Sequence, residues 1–158
     1  MSQRWKPSVT VAAIIERAGR YLLVEEQTPD GLRLNNPAGH LEQGESLVAA
    51  CAREALEETA HHFRPEALVG VYMSRLPQPE SGRDQTFLRF AFCGQLGEQV
   101  RGLALDAGIV RTIWLTPEEI RSSVERHRTP LLLRCVEDHL AGRRYPLELL
   151  TTHSSVAG

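Results

Sequence analysis

The apolar positions of the chain fall into strand-like runs separated by segments of helical spacing. Ser8–Glu16 (SVTVAAIIE) is continuous, rich in Val and Ile, and reads as a buried strand. Arg17-Ala18-Gly19-Arg20 supplies a turn, and Tyr21–Glu25 (YLLVE) is the returning arm of a hairpin. Ala67–Arg75 reads as a further sheet segment in which Gly70 marks a bulge or a close backbone contact. Gln85–Leu96 alternates, with Phe87, Arg89, Ala91 and Cys93 on one side and Thr86, Leu88, Phe90 and Phe92 on the other. Ile109–Leu115 is the last strand.

Three helices are expected between and after these strands. Ser46 is placed as the N-cap of a helix running to about Thr59. Thr116-Pro117-Glu118-Glu119 has the form of a helix start, with an N-cap threonine, proline at the first position and acids in the first turn. Pro130–Ala141 fits a final helix closed by Gly142. Pro29-Asp30-Gly31 is a turn signature, and Leu32-Arg33-Leu34 leads into a loop broken by Pro37 and Gly39. Pro65 is expected to close a short loop after the first helix. Pro77–Asp84 is the most loop-like stretch, read first as a solvated hairpin tip and second as a substrate-facing lid. Strands interleaved with three helices predict one α/β (α+β) domain over residues 1–158, with a core of about 7–150 and a loose tail at 151–158.

Composition narrows the class. With 158 residues, 42% hydrophobic and 24% charged, the chain has the makings of one soluble globular core. A formal charge of -2 supplies no basic field for non-specific nucleic-acid binding. Lys6 is the single lysine; arginine suits bidentate phosphate recognition, although a GC-rich genome explains the same bias. Cys51, Cys93 and Cys135 are scattered and form no CxxC pair, against both a disulfide framework and a zinc site. No run reaches the ~18 apolar residues of a membrane span, and the N-terminus lacks signal-peptide form. A reducing cytoplasm is the expected compartment.

The chemistry concentrates in Gly39–Ala60 (GHLEQGESLVAACAREALEETA). Glu54, Glu57 and Glu58 fall at i, i+3 and i+4, so one helical face carries them all. Like charges at that spacing cost roughly 0.2–0.5 kcal/mol per pair, which a divalent cation would offset. A helical wheel at ~100° per residue sets Arg53, Glu57, Glu54 and Glu58 on one arc with Ala50 in its middle, leaving room for ligands above the helix. Val48, Ala49, Ala52, Ala55 and Leu56 fall on the other side, expected to pack on a sheet. Oxygen-only ligands favour a hard cation, Mg²⁺ by default with Mn²⁺ able to substitute. Arg53 can hold a carboxylate bidentately, with Glu45 a candidate partner. Taken alone, REALEE reads first as a solvated amphipathic helix whose glutamates pair with arginines.

The longer spacing decides between those readings. From Gly39 the chain reads Gly, five residues, Glu45, seven residues, Arg53-Glu54, then Glu57-Glu58. This resembles the Nudix box, G-x5-E-x7-R-E-U-x-E-E-x-G-U, with U a bulky aliphatic. Three positions depart: Ala55 and His61 stand where aliphatics are usual, and Ala60 replaces the second glycine at the helix exit, where glycine eases a left-handed conformation. Further segments resemble a bacterial phosphatase group of that family: Lys6-Pro7, Val9–Ala12, Asn35 with Pro37–Glu42, Phe87–Phe90 and Arg144–Glu148. Leu34, in place of an aromatic, and the variable loop Tyr72–Asp84 depart from it.

The resemblance implies an α/β/α sandwich with a mixed sheet and a loop-helix site. It implies metal-dependent hydrolysis of phosphoanhydride bonds in nucleoside tri- and diphosphates, hydroxymethylpyrimidine diphosphate and thiamine diphosphate. Glu54, Glu57 and Glu58 would bind metal with the Gly39 carbonyl, Glu54 would be the base, and Arg53 and Glu45 would orient the ligands. Arg33 and Arg89 are candidate phosphate contacts, with surface or strand-edge charge the simpler role for each. The family often recruits a further carboxylate from near Glu118 and Glu119, which are first explained as helix-start acids. Tyr72, Phe87 and Trp114 are expected in the core rather than stacked on a substrate ring, and His61 and His62 carry no expected chemistry. The partner would be a small diphosphate or nucleotide, with no nucleic acid and no membrane, on a monomer or homodimer. The alternatives are a hydrolase of nucleotide sugars, dinucleoside polyphosphates or capped RNA, and a non-catalytic nucleotide-binding module.

Overall fold

The apolar runs pair into two sheets in the computed structural model, which describes residues 2–78 and 83–158. In chain order the elements are β1 (Ser8–Ile14), β2 (Glu16–Arg17), β3 (Arg20–Thr28), β4 (Gly31–Asn35), β5 (Ala38–His40), α1 (Leu47–Thr59), β6 (His61–Gln78), β7 (Arg83–Gln99), β8 (Ile109–Leu115), α2 (Pro117–Arg121), α3 (Leu131–Leu140) and β9 (Tyr145–Pro146). The larger sheet has the order β5-β1-β7-β6-β9, and the smaller joins β2, β3 and β4 with β8 on β3. β1 runs parallel to β7, from Ser8 opposite Phe87 to Ile14 opposite Cys93, whereas its other neighbour, β5, is antiparallel. The sheet is therefore mixed.

Period-two alternation sends each strand into two cores. Val11, Ala13, Ile15, Leu68 and Phe92 meet Ala50, Cys51 and Ala55 of α1. Ala12, Ile14, Val69, Ala91 and Cys93 meet Ile120, Leu132, Cys135 and Val136 of α2 and α3. The result is the expected α/β/α sandwich, and the β7 alternation read from sequence matches both faces. All three cysteines are buried and free.

Capping follows the sequence reading. Ser46 accepts a hydrogen bond from the Ala49 N–H (3.1 Å) at the start of α1. Thr116 and Glu119 form a reciprocal capping box on α2 with Pro117 just inside it. Ala18 and Gly19 both have positive φ, 51° and 79°, as a two-residue hairpin turn of primed type requires.

Several expectations need correction. Ala38–Gly39–His40 is a short strand pairing with Thr10–Val11–Ala12, not a loop, since Pro37 only precedes it and its carbonyl accepts from Ala13 N–H. β6 begins at His61, directly at the end of α1, and Pro65 lies inside it. The register shift between Pro65 and Ala67 removes the need for a proline N–H there. A further shift falls between Leu68 and Gly70, where a Cβ would lie 2.7 Å from the Tyr72 hydroxyl, so Gly70 marks a bulge as expected. The tip of the Pro77–Asp84 stretch, residues 79–82, lies outside the described residues. The segment 151–158 is exposed and contains one 3-10 turn, Ser154–Val156.

Helix α1 is also rotated relative to expectation. Ala50 is fully buried in the core, while Ala49 is exposed and Ala52 and Leu56 are half-buried. The buried face carries Ala50, Cys51, Glu54, Ala55, Glu58 and Thr59. Two carboxylates thus point inward, over the small residues of β5; of the wheel's apolar back face, Ala55 is buried and Val48 packs on the core, whereas Ala49 is exposed.

Ala60 ends α1 at φ 59°, in the left-handed region, with its N–H donating to the Leu56 carbonyl. That conformation costs a non-glycine residue about 1–2 kcal/mol. Glycine would relieve it, but would lose a buried methyl worth about 0.8 kcal/mol and gain unfolded-state freedom worth about 0.4–1 kcal/mol. Ala60→Gly is accordingly expected to shift stability by less than about 1 kcal/mol. Ala60→Val, β-branched at positive φ, should cost about 2 kcal/mol or more; thermal unfolding of the pair checks both.

Candidate active site

The site begins with a close approach. β5 lies beneath the middle of α1, and a Cβ built on Gly39 would sit 2.1 Å from Cδ of Glu54. Glycine is required because a buried carboxylate occupies the place of its side chain. One turn on, the Glu58 carboxylate accepts a hydrogen bond from the Ala38 N–H (2.9 Å). The strand thus fixes both acids from below.

Arg53 fixes the cluster from the side. Its Nε and Nη2 donate to the two oxygens of Glu45 (3.0 and 2.7 Å), the bidentate pairing expected. Nη1 donates to Glu54 (2.9 Å) and to Glu57 (3.2 Å), and Nη2 also to the His40 carbonyl (3.0 Å). The Glu42 N–H donates to Glu45 (2.8 Å), closing the loop onto the helix. Hydrogen bonding to Arg53 holds the Glu45 carboxyl below its usual range, and Glu45 in turn raises Arg53.

The acids on the inner face behave differently. Burial pushes Glu54 up, partly opposed by Arg53 and reinforced by Glu57 and Asp106. Burial pushes Glu58 up to about 8, with the charges of Glu26, Glu54 and Asp106 adding to it and the Ala38 N–H opposing. Oxygens of Glu54, Glu58 and Asp106 lie within 4.8 Å of one another. An oxygen-only group of three acids, two of them buried and destabilised as anions, fits a hard divalent cation.

The residues expected from sequence separate on this geometry. Gly39, Glu54 and Glu58 come together, with Arg53 and Glu45 bracing them. Glu57 lines the same cavity, but its carboxylate bonds Arg53 and lies outside the converging trio. The third converging acid is Asp106, in the loop between β7 and β8, whose N–H donates to the Glu57 carbonyl (3.0 Å). It takes the place expected near Glu118 and Glu119, of which Glu119 is committed to the capping box and Glu118 stands beside it in the first turn of α2. Asp106 carries no local sequence signal, because it reaches α1 across two intervening strands.

A cavity of about 530 Å³ opens over the trio. Its floor on β6 and β7 presents Arg89, Phe87, Gln85, Ser74 and Leu76, while Arg128, Thr129 and Leu131 face it from the start of α3. Arg89 is 4% exposed and donates to Asn36 Oδ1 (2.8 Å) and Asn35 Oδ1 (3.1 Å), with no carboxylate ion pair among the described residues. It is neither a surface nor an edge charge. Arg33 lies outside the cavity, its Nη1 donating to the Leu32 carbonyl. Tyr72 packs on the core and donates to Asp138 (2.8 Å), and Trp114 packs beside α1 under the Arg17 guanidinium. Phe87, expected in the core, instead lines the cavity. A second cavity of about 430 Å³, near His139 and Arg144, holds no converging acid group among the described residues.

The NUDIX domain family model matches residues 4–135, the span that contains the loop, the helix and the cavity. The chain belongs to the NUDIX family. It is 36% identical over 147 residues to the phosphatase NudJ of Escherichia coli strain K12, covering 92% of each protein. A solved NUDIX hydrolase from Nitrosomonas europaea is 50% identical, with a TM-score of 0.85 over 94% of this chain and 98% of that one. A MutT NUDIX hydrolase from Burkholderia pseudomallei shares the fold at 18% identity, with a TM-score of 0.68 over 85% of this chain and 98% of that one. The chain is a NUDIX hydrolase, and the NUDIX dependence on a divalent metal agrees with its acid group. Among the described residues no helix is long and apolar enough to cross a membrane.

Two outcomes follow from this geometry. Gly39→Ala should displace Glu54 and weaken divalent-ion binding by roughly tenfold or more, measured by Mn²⁺ titration. The metal-free protein should also lose stability as pH rises. Folded Glu58 keeps its proton to about 8 while an unfolded glutamate releases it near 4.5, so the folded state binds more protons in that window. Stability is full below the unfolded value and falls by up to about 1.4 kcal/mol per unit as pH climbs toward 8. Urea denaturation across that range checks the slope, which a saturating divalent ion should flatten.

Proposed function

We propose that the chain hydrolyses phosphoanhydride bonds in nucleoside tri- and diphosphates and related diphosphates, such as hydroxymethylpyrimidine or thiamine diphosphate, and releases phosphate. Mg²⁺ is the proposed cofactor, with Mn²⁺ able to substitute. The observation that carries this reading is the trio Glu54, Glu58 and Asp106 lining one cavity with a buried Arg89 that pairs with no carboxylate among the described residues. Similarity to a phosphatase along nearly the full length of both proteins supports the phosphate-releasing form. Three free, buried thiols suit a reducing cytoplasm.

Glu54, Glu57 and Glu58, with the Gly39 carbonyl and Asp106, would hold the metal. When bound, the cation neutralises phosphate oxygens and lowers the pKa of water. Glu54 is the proposed base: it takes a proton from the attacking water while the water oxygen bonds to phosphorus and the anhydride P–O bond breaks. Its elevated proton affinity, a product of burial, suits that task. Arg53 and Glu45 keep its carboxylate in one orientation, and Arg89 contacts a phosphate from the floor.

The test is a substrate panel with Mg²⁺, scoring free phosphate against pyrophosphate and against nucleoside monophosphate plus sugar phosphate. Free phosphate is the expected product; the monophosphate pair would point to a nucleotide-sugar hydrolase, and tight nucleotide binding without product to a binding module. Glu57→Gln should lower Mg²⁺-dependent phosphate release by about 100-fold or more with circular dichroism and Tm unchanged. Near-normal turnover in that variant would overturn the mechanism.

A further inference from the structure

Glu26, on β3, lines the same cavity with its side chain 12% exposed, yet it stays outside the converging acids. Its carboxylate is turned to Arg128, whose Nη1 donates to it at 2.5 Å. Arg33, directly opposite Glu26 in the β3–β4 ladder, donates to the Leu32 carbonyl instead, and the partner comes from further along the chain. The Arg128 N–H donates to the Leu34 carbonyl (2.9 Å), and His127 forms a parallel bridge with Leu34. The segment before α3 is thereby laid along β4, and Arg128 reaches across that strand to β3.

Two arginines therefore line the cavity from different walls: Arg89 from the sheet floor and Arg128 from the rim. Arg128 has its side chain 51% exposed and commits only Nη1 to Glu26. A guanidinium carries five N–H donors in a fixed fork, which leaves donors for a planar or tetrahedral anion. A carboxylate that grips one arm of an exposed arginine removes much of its rotamer freedom, so less entropy is lost when the other arm binds.

We propose that Arg128 is a phosphate-contacting residue of this site and that Glu26 is the positioning residue that aims it. The proposal rests on the phosphoanhydride reading for its substrate. Together with Arg89 it gives the ligand cationic contacts on two walls of the cavity that the acids also line. The class of ligand is a molecule with at least two linked phosphates, one toward the acids and one toward the arginines. A single carboxylate or monophosphate would leave one end of the cavity unmatched.

The test measures binding of methylenediphosphonate, whose P–C–P link cannot be hydrolysed, by calorimetry with Mg²⁺. Arg128→Ala should weaken it by about tenfold or more, Arg128→Lys by less, and Mn²⁺ affinity without the diphosphonate should stay within about twofold. In a Glu26→Gln background the Arg128→Ala penalty should shrink to about threefold or less, because an unaimed arginine contributes less. Binding by Arg128→Ala within about twofold of the parent would overturn the contact. An equal penalty in both backgrounds, or loss of Mn²⁺ affinity in Glu26→Gln, would overturn the positioning role. An ordinary ion pair would lower Tm in these variants while leaving affinity alone, which also counts against the proposal. If the parent binds the diphosphonate through Arg128 but hydrolyses nothing in the panel, the functional reading fails and this one stands.

Discussion

The structure depends on one side chain being held by many acids at once. Arg53 satisfies Glu45 through two bonds, touches Glu54 and Glu57, and caps the His40 carbonyl, all with its side chain only 22% exposed. Bidentate, partly desolvated pairs of this kind are far stronger than exposed ones. Through them the loop after β5 and the helix become one rigid piece. Glu54 then rests on Gly39, Gly39 is paired with Val11, and Val11 lies in the core beneath α1. The position of the Glu54 carboxylate is thus transmitted to β1, an interior strand of the larger sheet, without a flexible link.

The protein has arginines to spare and does not spend them evenly. Glu25 and Glu26 are neighbours on β3 with little exposure, and each receives guanidinium partners: Arg111 and Arg126 for the first, Arg128 for the second. Hydrogen bonding to Arg126, chiefly, holds the Glu25 carboxyl below its usual range. Glu58 has no guanidinium partner among the described residues: burial, chiefly, pushes its carboxyl up, the Ala38 N–H opposes, and the charges of Glu26, Glu54 and Asp106 add to the rise. Identical side chains a few residues apart in space end with opposite proton affinities. The difference is what an external cation needs, since a fully paired carboxylate would have to give up its partner before binding.

What was legible in the sequence shares a physical feature: it was local. Ser46, Thr116 and the Gly39-to-Glu58 spacing all act within a few helical turns, where geometry follows directly from residue offsets. The helical wheel went wrong because it assigned the inside of α1 by polarity. A functional helix buries two acids, and Ala50 then serves as core packing under them rather than as open space. Pro37 and Gly39 read as loop residues because β5 is three residues long and held by its neighbour, which no local propensity reveals. Asp106, Arg128 and Phe87 reach the cavity from three separate elements, and only the folded topology brings them to it.

That division also explains why the reaction is easier to read than its substrate. The converging acids sit mainly on one contiguous loop-helix and are positioned by contacts within it. The opposite wall is assembled from Arg89, Phe87 and Gln85 of β7, with Thr10 of β1 beside the first and Ser74 and Leu76 of β6 beside the other two. Along β7 the character of the floor changes at each inward position, from the Arg89 cation to the Phe87 ring to the Gln85 amide. Successive inward residues on a strand stand about 6.6 Å apart, twice the rise per residue. A bound molecule would therefore meet charge, then an apolar ring face, then a hydrogen-bonding edge within roughly 13 Å, the span of four strand residues. Substitutions on that wall can alter which group is accepted without disturbing Arg53 or the acids it restrains, because the two sets share no hydrogen bond among the described residues.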